Sequence, residues 1–235
     1  MRILALDTAT ENCSAALLDD GRLTARELLL ERGHAEHILG MIDEVLAAAG
    51  ASLGGLTAIA YGRGPGAFTG VRLAASVTQG LAFGAGLPVV PVSDLRALAQ
   101  RLLDLEPATQ RVLVCSDARM HEVYLGCFER GAGGLAAAVS EEQVSKPDAV
   151  SLPAAWRAAP HSPGFRAMGS GFAAYPALRQ AFAGALAEGL EALRPRAAEI
   201  ALLAAPEVAA GRVLPAEQAL PVYLRDDVVR PPAVH

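Results

Sequence analysis

Four glycines and one proline lie within residues 62–70, GRGPGAFTG, directly before an amphipathic run. A glycine-rich turn between a strand and a helix can hold phosphate groups on its backbone N–H groups. The Walker type also requires a lysine after the glycines, and none follows here. Gly64, Gly66 and Gly70 do give the spacing GxGxxxG of a dinucleotide-binding loop, with Asp94 placed where a ribose-binding acid would lie.

Two features favour a structural role for this loop. Pro65 removes one backbone N–H from any anion-binding nest, and the loop follows three predicted strands instead of the first strand. Asp94 comes directly after Ser93, so it also fits the first turn of a helix that Ser93 caps. We therefore interpret residues 62–70 as a tight turn that brings a helix close to a sheet.

A second place for a nucleotide is DTAT, residues 7–10, at the turn after the first apolar run. In the actin, sugar kinase and Hsp70 superfamily, an Asp-x-Gly-Ser/Thr turn in this place wraps the phosphates and the metal. Ala9 occupies the glycine position here. Asp7, Thr8 and Thr10 are candidate nucleotide contacts, and the alternative is that they only cap and shape the turn.

The histidines do not form a recognisable catalytic or metal site. His34 and His37 stand three residues apart on a predicted helix with Glu36 between them, whereas a protein metal site usually has at least three ligands. An interface role or a role at the helix N-terminus is favoured for this pair. His121 could act as a base, but no Ser or Cys nucleophile with an orienting acid is recognisable beside it, which argues against a protease.

Composition is that of a folded protein without an affinity for nucleic acid. The chain has 235 residues, 52% of them hydrophobic and 19% charged, with a net charge of −5. Binding to a nucleic-acid backbone needs clustered positive charge, so direct RNA binding by this chain is not expected. Its three cysteines form no CxxC pair, which fits a reducing compartment. With neither a signal peptide nor an apolar run of membrane-spanning length, the sequence predicts a cytoplasmic protein.

Apolar periodicity predicts an α/β order in the first half of the chain. RILALDT, CSAALLD and RLTARELLLE are three strands in an antiparallel meander, followed by the helix HAEHILGMIDEVLAAAG. The strand TAIAYG, the helix TGVRLAASVTQGLAFGAG and the strand LPVVPV then form a parallel crossover. Ser93 caps the next helix, DLRALAQRLLD.

The second half resembles a weak repeat of the first. RVLVCSDA, EVYLGCFER and LAAAVSE are predicted strands, residues 146–163 are predicted to be irregular, and FAAYPALRQAFAGAL and PRAAEIALLAAPEVAAG are predicted helices despite Pro176 and Pro206. With a boundary near Pro107, we divide the chain into an N-terminal lobe, 1–105, and a C-terminal lobe, 106–235. About the last 20 residues are expected to pack back on the N-terminal lobe.

Five segments together resemble the bacterial TsaB (YeaZ) family. They are MRILALDTATENCSAALL, RGHAEHIL, GRGPGAFTGVRLAASVTQGLAFGAGLPVVPVSDLRALA, SDARMHEVY and PVYLRDD, in the family's order and over most of the chain. The resemblance implies a two-lobe actin-like (ASKHA, RNase H-like) α/β fold with mixed sheets flanked by helices. It also implies a role in making N6-threonylcarbamoyladenosine at position 37 of tRNA, where the paralogue TsaD transfers the threonylcarbamoyl group with help from the ATPase TsaE.

Within that resemblance the chain is the non-catalytic partner of TsaD. Two metal-binding histidines of TsaD correspond to Asp94 and Leu98 here, and a leucine cannot ligate a metal. The resemblance implies no catalytic residue, no metal and no intrinsic cofactor, with ATP or ADP at most at a subunit junction. It implies a homodimer when the chain is alone, and contact with tRNA only through the complex.

The same resemblance assigns the partner interface to the two predicted helices. The implied interface residues are His34, His37, Ile38, Met41, Ile42 and Val45 on the first helix and Val71, Arg72, Ala75 and Thr78 on the second. The alternative for each apolar position is burial against the chain's own sheet. A second class of function also stays open: an independent ATP-dependent phosphotransferase or ATPase of the actin-like superfamily, which Asp7, Thr8 and the two-lobe repeat would permit.

Overall fold

A computed structural model describes residues 1–157 and 164–225. The strands are β1 Arg2–Asp7, β2 Asn12–Asp19, β3 Arg22–Leu29, β4 Ala58–Gly62, β5 Val89–Val92, β6 Arg111–Asp117, β7 Val123–Arg130, β8 Ala136–Ala138, β9 Gln143–Ser145 and β10 Phe165–Met168. The helices are α1 His34–Ala48, α2 Phe68–Ala85, α3 Asp94–Leu105, α4 Ala154–Arg157, α5 Ser170–Ala174, α6 Pro176–Ala181 and α7 Ala197–Ala209.

The strands form two mixed sheets that share the arrangement of four strands, and each sheet has a fifth strand in a different place: β5 beside β4 in the first and β9 beside β7 in the second. The first has the order β3-β2-β1-β4-β5, with an antiparallel meander of β1 to β3 and with β4 parallel to both β1 and β5. The second has the order β10-β6-β7-β8, again with an antiparallel hairpin at its centre and a parallel strand, β10, beside β6. The predicted meander, the parallel crossover through α2 and the internal repeat are confirmed.

Helices cover the first sheet on both faces because alternate side chains of its central strands point to opposite sides. Leu4 and Leu6 of β1 join the core under α1 and α2, while Ile3 and Ala5 join the core under α3 and α7. That second core continues into the other sheet through Val112 and Val114 of β6. Helices α3 and α7 therefore lie between the two sheets and share one hydrophobic core with both.

Residues from the end of the chain return to the first sheet. Helix α7 contacts β1, β2 and β4, and Leu214 pairs with Val89 at the edge strand β5. The hydroxyl of Tyr61 donates to the carbonyl of Leu220 at 3.0 Å. A lobe built on the first sheet thus includes segments from beyond residue 105, and the division at 105 stays a prediction; residues 226–235 lie outside the described part.

Helix ends follow the predicted capping chemistry. The hydroxyl oxygen of Ser93 accepts the N–H of Arg96 at 3.1 Å at the start of α3. Gly50 and Gly86, just after α1 and α2, have φ of 62° and 66°, the left-handed conformation that glycine adopts at low cost. Pro206 lies inside α7, as predicted.

Two predicted elements of the second half are wrong in detail. The segment FAAYPALRQAFAGAL is not one helix: α5 ends at Ala174 and α6 begins at Pro176. Tyr175, between them, has φ −126° and ψ 100°, the extended conformation that a following proline imposes. The predicted strand LAAAVSE is shorter than expected, because only Ala136–Ala138 pair with β7, and a separate strand, β9, follows. Within the described residues, no helix is long and apolar enough to cross a membrane.

The glycine loop of residues 62–70 packs directly on the turn between β1 and β2. A β-carbon on Gly66 would lie 2.6 Å from the carbonyl oxygen of Ala9, and one on Gly70 would lie 2.0 Å from that of Thr8. The hydroxyl of Thr8 donates to the carbonyl of Gly70 at 2.7 Å, and the N–H of Ala67 donates to the carbonyl of Ala9 at 2.7 Å. Only glycine allows the start of α2 to approach the sheet this closely.

We predict that Gly70→Ala destabilises the fold by at least about 3 kcal/mol, because a methyl group there must displace backbone. Gly84 lies in the same helix, and a β-carbon on it would meet nothing within 4 Å. Gly84→Ala should instead raise stability by about 0.5 kcal/mol through helix propensity. Urea unfolding of both variants measures the difference, and equal midpoints would contradict the close approach.

Candidate functional site

A cleft of about 1230 Å³ opens between the two sheets at the end of β1. Its walls come from the β1–β2 turn, the start of α1, the glycine loop with the start of α2, the ends of β6 and β10, and the segment before α7. The lining includes residues 8–11, 31–35, 65–71, 116–119, 193–195 and 222–225. The C-terminal ends of β1 and β6, one from each sheet, thus both lie at this cleft.

Only some of the predicted nucleotide contacts line the cleft. Thr8 and Thr10 line it, but Asp7 is 0% exposed and does not. The hydroxyl of Thr8 is already engaged with the carbonyl of Gly70. Asp7 thus has no surface in the cleft, and a nucleotide contact by Asp7, Thr8 or Thr10 stays a prediction. Thr10 remains at the wall, half-buried.

Asp7 instead faces Asp94, which is 1% exposed, across the end of the first sheet. One oxygen of Asp7 accepts the N–H of Ala9 at 2.8 Å, and one oxygen of Asp94 accepts the N–H of Gly64 at 2.5 Å. Burial raises the pKa of Asp7 to about 6. Burial and the charge of Asp7 raise the pKa of Asp94 well above its usual range. Asp94 is thus a structural residue at the start of α3, as the turn interpretation of the glycine loop requires.

Among the described residues, the histidines and cysteines do not converge on a reactive group. The ring Nε2 of His34 lies 2.8 Å from the carbonyl of Thr10, where an N–H would donate to it, and His37 is exposed one turn further on. Burial raises the pKa of the Cys13 and Cys127 thiols to about 11, so neither is a ready nucleophile. In residues 1–157 and 164–225, no group of three His, Cys, Asp or Glu side chains could hold a metal ion.

Most of the predicted interface residues of α1 and α2 are buried within this chain. Seven of the ten are no more than 8% exposed: Ile38, Met41, Ile42, Val45, Val71, Ala75 and Thr78. Five of them, Ile38, Met41, Ile42, Val45 and Ala75, belong to the core under α1 and α2, which favours burial against the chain's own sheet at these positions. His37 and Arg72 are exposed and His34 is half-buried. An interface on these helices stays a prediction, with the opposite faces as its surface.

Those opposite faces carry few charges on α2. Its exposed positions are Phe68, Thr69, Arg72, Ser76, Gly80, Phe83 and Gly84, and from Thr69 onward they follow each other at helical spacing. Phe83 is 77% exposed. Helix α1 lies on the same face of the sheet and exposes Leu39 and Gly40 among its outer residues. We call the exposed α2 positions from Ser76 to Gly84 the small-residue stripe. Helical periodicity alone could have identified this stripe, because it is the face of α2 opposite the apolar residues. That identification requires the apolar residues to be assigned to the core.

Sequence reasoning missed a strained turn at the rim of the cleft. Arg119, Met120 and His121, between β6 and β7, have φ of 61°, 55° and 59°. Left-handed conformations cost about 1 to 2 kcal/mol each in residues other than glycine. The carboxylate of Asp117 accepts the N–H of Arg119 at 2.9 Å and thereby closes the turn. No feature of the segment DARMHE alone signals this conformation.

Arg225 connects the turn between β6 and β7 to the C-terminal segment of residues 222–225. Its guanidinium donates to the carbonyl of Ala118 at 3.2 Å and to the carboxylate of Glu122. Just before it, the hydroxyl of Tyr223 accepts the Nε–H of Arg72 at 2.6 Å, and the Arg72 guanidinium stacks 3.6 Å from the centre of the Phe68 ring. Residues 222–225 therefore join α2 to the second sheet across the mouth of the cleft.

Comparison with known proteins decides the family. A family model described as TsaD: tRNA N6-adenosine threonylcarbamoyltransferase matches residues 28–232. The tRNA threonylcarbamoyladenosine biosynthesis protein TsaB of Escherichia coli K12 is 42% identical over 228 residues, 97% of this chain and 96% of that protein. This chain belongs to the TsaB family. TsaB of Haemophilus influenzae is 40% identical over 97% of this chain and 95% of its own length.

Solved structures agree with the TsaB family. A crystal structure of a Pseudomonas aeruginosa protein, described as uncharacterized with similarity to peptidase YeaZ, superposes with a TM-score of 0.85 at 42% identity. It covers 95% of this chain and 99% of that one. YeaZ from Pseudomonas aeruginosa superposes with a TM-score of 0.81 at 40% identity. Together with the TsaD family model, these matches confirm the actin-like α/β fold with two mixed sheets flanked by helices.

We predict that Arg225→Ala loosens the turn of residues 118–122. The N–H of Ala118 donates to the carbonyl of Glu122, and the N–H of Glu122 donates to that of Arg119. Their hydrogen exchange should accelerate about tenfold, since lost hydrogen bonds to a charged group are worth about 1.4 kcal/mol or more. Arg212→Ala, which removes an ion pair with Glu207 elsewhere, is the control and should leave these amides unchanged.

Proposed function

We propose that this protein is the non-catalytic subunit that binds and activates the paralogous transferase TsaD in making N6-threonylcarbamoyladenosine at position 37 of tRNA. The observation that carries the proposal is the near full-length identity of 42% with a TsaB protein. In this role the ATPase TsaE assists the pair, tRNA is contacted through the complex, and the complex works in the cytoplasm. Without TsaD the chain forms a homodimer.

The chemistry of the cleft supports a non-catalytic role. Asp94 and Leu98, which correspond to the metal-binding histidines of TsaD, lie at the start of α3 and are 1% and 4% exposed. Leu98 has no ligand atom, and one carboxylate oxygen of Asp94 already accepts the N–H of Gly64. A metal that polarises a threonylcarbamoyl group would lack the ligands that TsaD uses.

The small-residue stripe supports a helix-to-helix contact with TsaD. Ser76 and Gly80 stand one turn apart on the exposed side of α2, and small residues allow another helix to approach closely. Phe83, exposed at the end of the stripe, provides the large aromatic contact that is typical of interface centres. The close packing of α2 on the β1–β2 turn gives this surface a rigid base.

Ser76→Glu should weaken association with TsaD by about a hundredfold, because an unpaired charge buried at an interface costs about 3 kcal/mol. The measurement is light scattering on a sizing column for the chain alone, then mixed with TsaD, followed by formation of the modified nucleoside. Gln143→Glu is the matched control, since it adds the same charge at an exposed position of β9. A wild-type chain that ignores TsaD, or a Ser76→Glu chain that still binds it normally, contradicts the proposal.

An independent ATP-binding enzyme is the second candidate, and the size of the cleft and two polar side chains on its wall are the observations in its favour. The exposed guanidinium of Arg119 and the hydroxyl of Thr10 both line a space large enough for a nucleotide. In our proposal, ATP or ADP is bound at most at the junction with TsaD and is not turned over by this chain alone.

We therefore expect no release of phosphate when the purified chain is incubated with Mg-ATP. Micromolar binding by calorimetry, with turnover that Arg119→Ala abolishes, would favour the enzyme instead. Arg22→Ala is the control for loss of one exposed positive charge, because Arg22 lies on β3, away from the cleft lining.

A further inference from the structure

Two buried carboxyl groups, those of Asp7 and Asp94, meet at the junction of β1, β4 and α3. Asp7 is the last residue of β1 and Asp94 the first of α3. One oxygen of each carboxyl group accepts a backbone hydrogen bond. Asp7 accepts the N–H of Ala9, and Asp94 accepts the N–H of Gly64. The remaining oxygens, Oδ2 of Asp7 and Oδ1 of Asp94, are buried and have no hydrogen-bond partner among the described residues.

Gly62, at the end of β4, makes room for this pair. A β-carbon on Gly62 would lie 2.5 Å from Oδ1 of Asp94 and 2.7 Å from Oδ1 of Asp7. Both carboxyl groups therefore press on the same α-carbon. Two ionised carboxylates cannot hydrogen-bond to each other, and their repulsion is strong where water is excluded. One proton shared by the two carboxyl groups would remove this repulsion.

The charged groups around the pair do not replace that proton. Arg63, beyond β4, lies 3.3 Å from the carboxylate of Glu142, which also accepts the hydroxyl of Ser93. The Nε–H of Arg96, on α3, donates to the carbonyl of Ala136. Cys13, on β2, is the titratable neighbour of Asp7, and burial keeps it neutral by raising its pKa. In the described part of the chain, no Lys, Arg or His donates to either Asp7 or Asp94.

We propose that Asp7 and Asp94 share one proton at neutral pH and that this proton holds the glycine loop in place. Asp94 binds both polar groups of Gly64, through its carboxylate and through its own N–H, which donates to the carbonyl of Gly64 at 3.1 Å. The shared proton connects Asp94, and with it Gly64, to Asp7 at the end of β1. Its loss puts two like charges in contact and loosens the loop from which α2 begins.

The sign of the pH dependence follows from the raised pKa values. Both carboxyl groups titrate near 3.9 in the unfolded chain, whereas burial raises the pKa of Asp7 to about 6 and that of Asp94 well above the usual range. Between the unfolded-state pKa of about 3.9 and the raised folded-state pKa values, the folded state binds more protons than the unfolded state. The stabilisation is complete below about pH 4 and is lost as the pH rises through the folded-state pKa values.

Asp94→Asn tests the proposal, because an amide can accept the Gly64 N–H and donate to Asp7 without a titrating proton. From pH 6 to pH 9, the unfolding constant of the wild type should rise relative to that of Asp94→Asn, by up to about tenfold per pH unit. At pH 9 the variant should be the more stable protein. Asp148→Asn, at an exposed position, is the control and should follow the wild type.

Parallel pH profiles of wild type and Asp94→Asn would overturn the proposal. Infrared spectra of the wild type with labelled aspartate provide a measurement that does not depend on folding of the variant. A protonated carboxyl band that persists at pH 7, in a folded chain, supports the shared proton, and its absence overturns it. A rise in the wild-type unfolding midpoint on addition of Mg²⁺ or Mn²⁺, lost in Asp94→Asn, would also overturn it, by showing that a cation joins the pair.

Discussion

The rest of the structure depends on the approach of the glycine loop to the turn between β1 and β2. The backbone of Gly70 lies so close to the carbonyl of Thr8 that no side chain fits between them. Because α2 begins there, this contact sets its position over the sheet, and with it the direction in which its exposed residues point. A loop that resembles a phosphate cradle is thus filled by the protein's own turn, and its polar groups are used within the chain.

The two sheets are joined by burial and not by a flexible linker. Helices α3 and α7 lie in one hydrophobic core that reaches both sheets, so the sheets cannot separate without exposing that core. At the cleft, residues 222–225 add a polar connection, from the Arg72 and Tyr223 pair on one side to Arg225 and Glu122 on the other. The cleft is therefore bordered by a strained turn and by a segment that holds it.

Comparison with the transferase TsaD gives the buried carboxyl pair its meaning. Where the resemblance places a metal-binding histidine in TsaD, this chain has Asp94, directed at another acid and at the backbone of the glycine loop. In this chain the carboxylate of Asp94 accepts the N–H of Gly64, in the loop from which α2 begins. This contact fits our proposal of a subunit that acts through the surfaces of α1 and α2.

Much of the architecture could be predicted from the sequence, because its signals are local. Hydrophobic periodicity predicts the strands and helices, Ser93 the start of α3, and Gly50 and Gly86 the ends of α1 and α2. The same is true of the family, since GPGAFTGVR and the segments around it are contiguous in the chain. The sequence could not show that Ile38, Met41 and Val71 face the sheet and not a partner, because an apolar stripe fits both. Nor could it show the Asp7–Asp94 pair or the grip of Arg225 on residues 118–122, which join positions far apart in the chain. Those contacts exist only because the fold brings the ends of β1 and β4 in the first sheet, the end of β6 in the second sheet and residues 222–225 to the cleft. Tertiary structure alone therefore decided them.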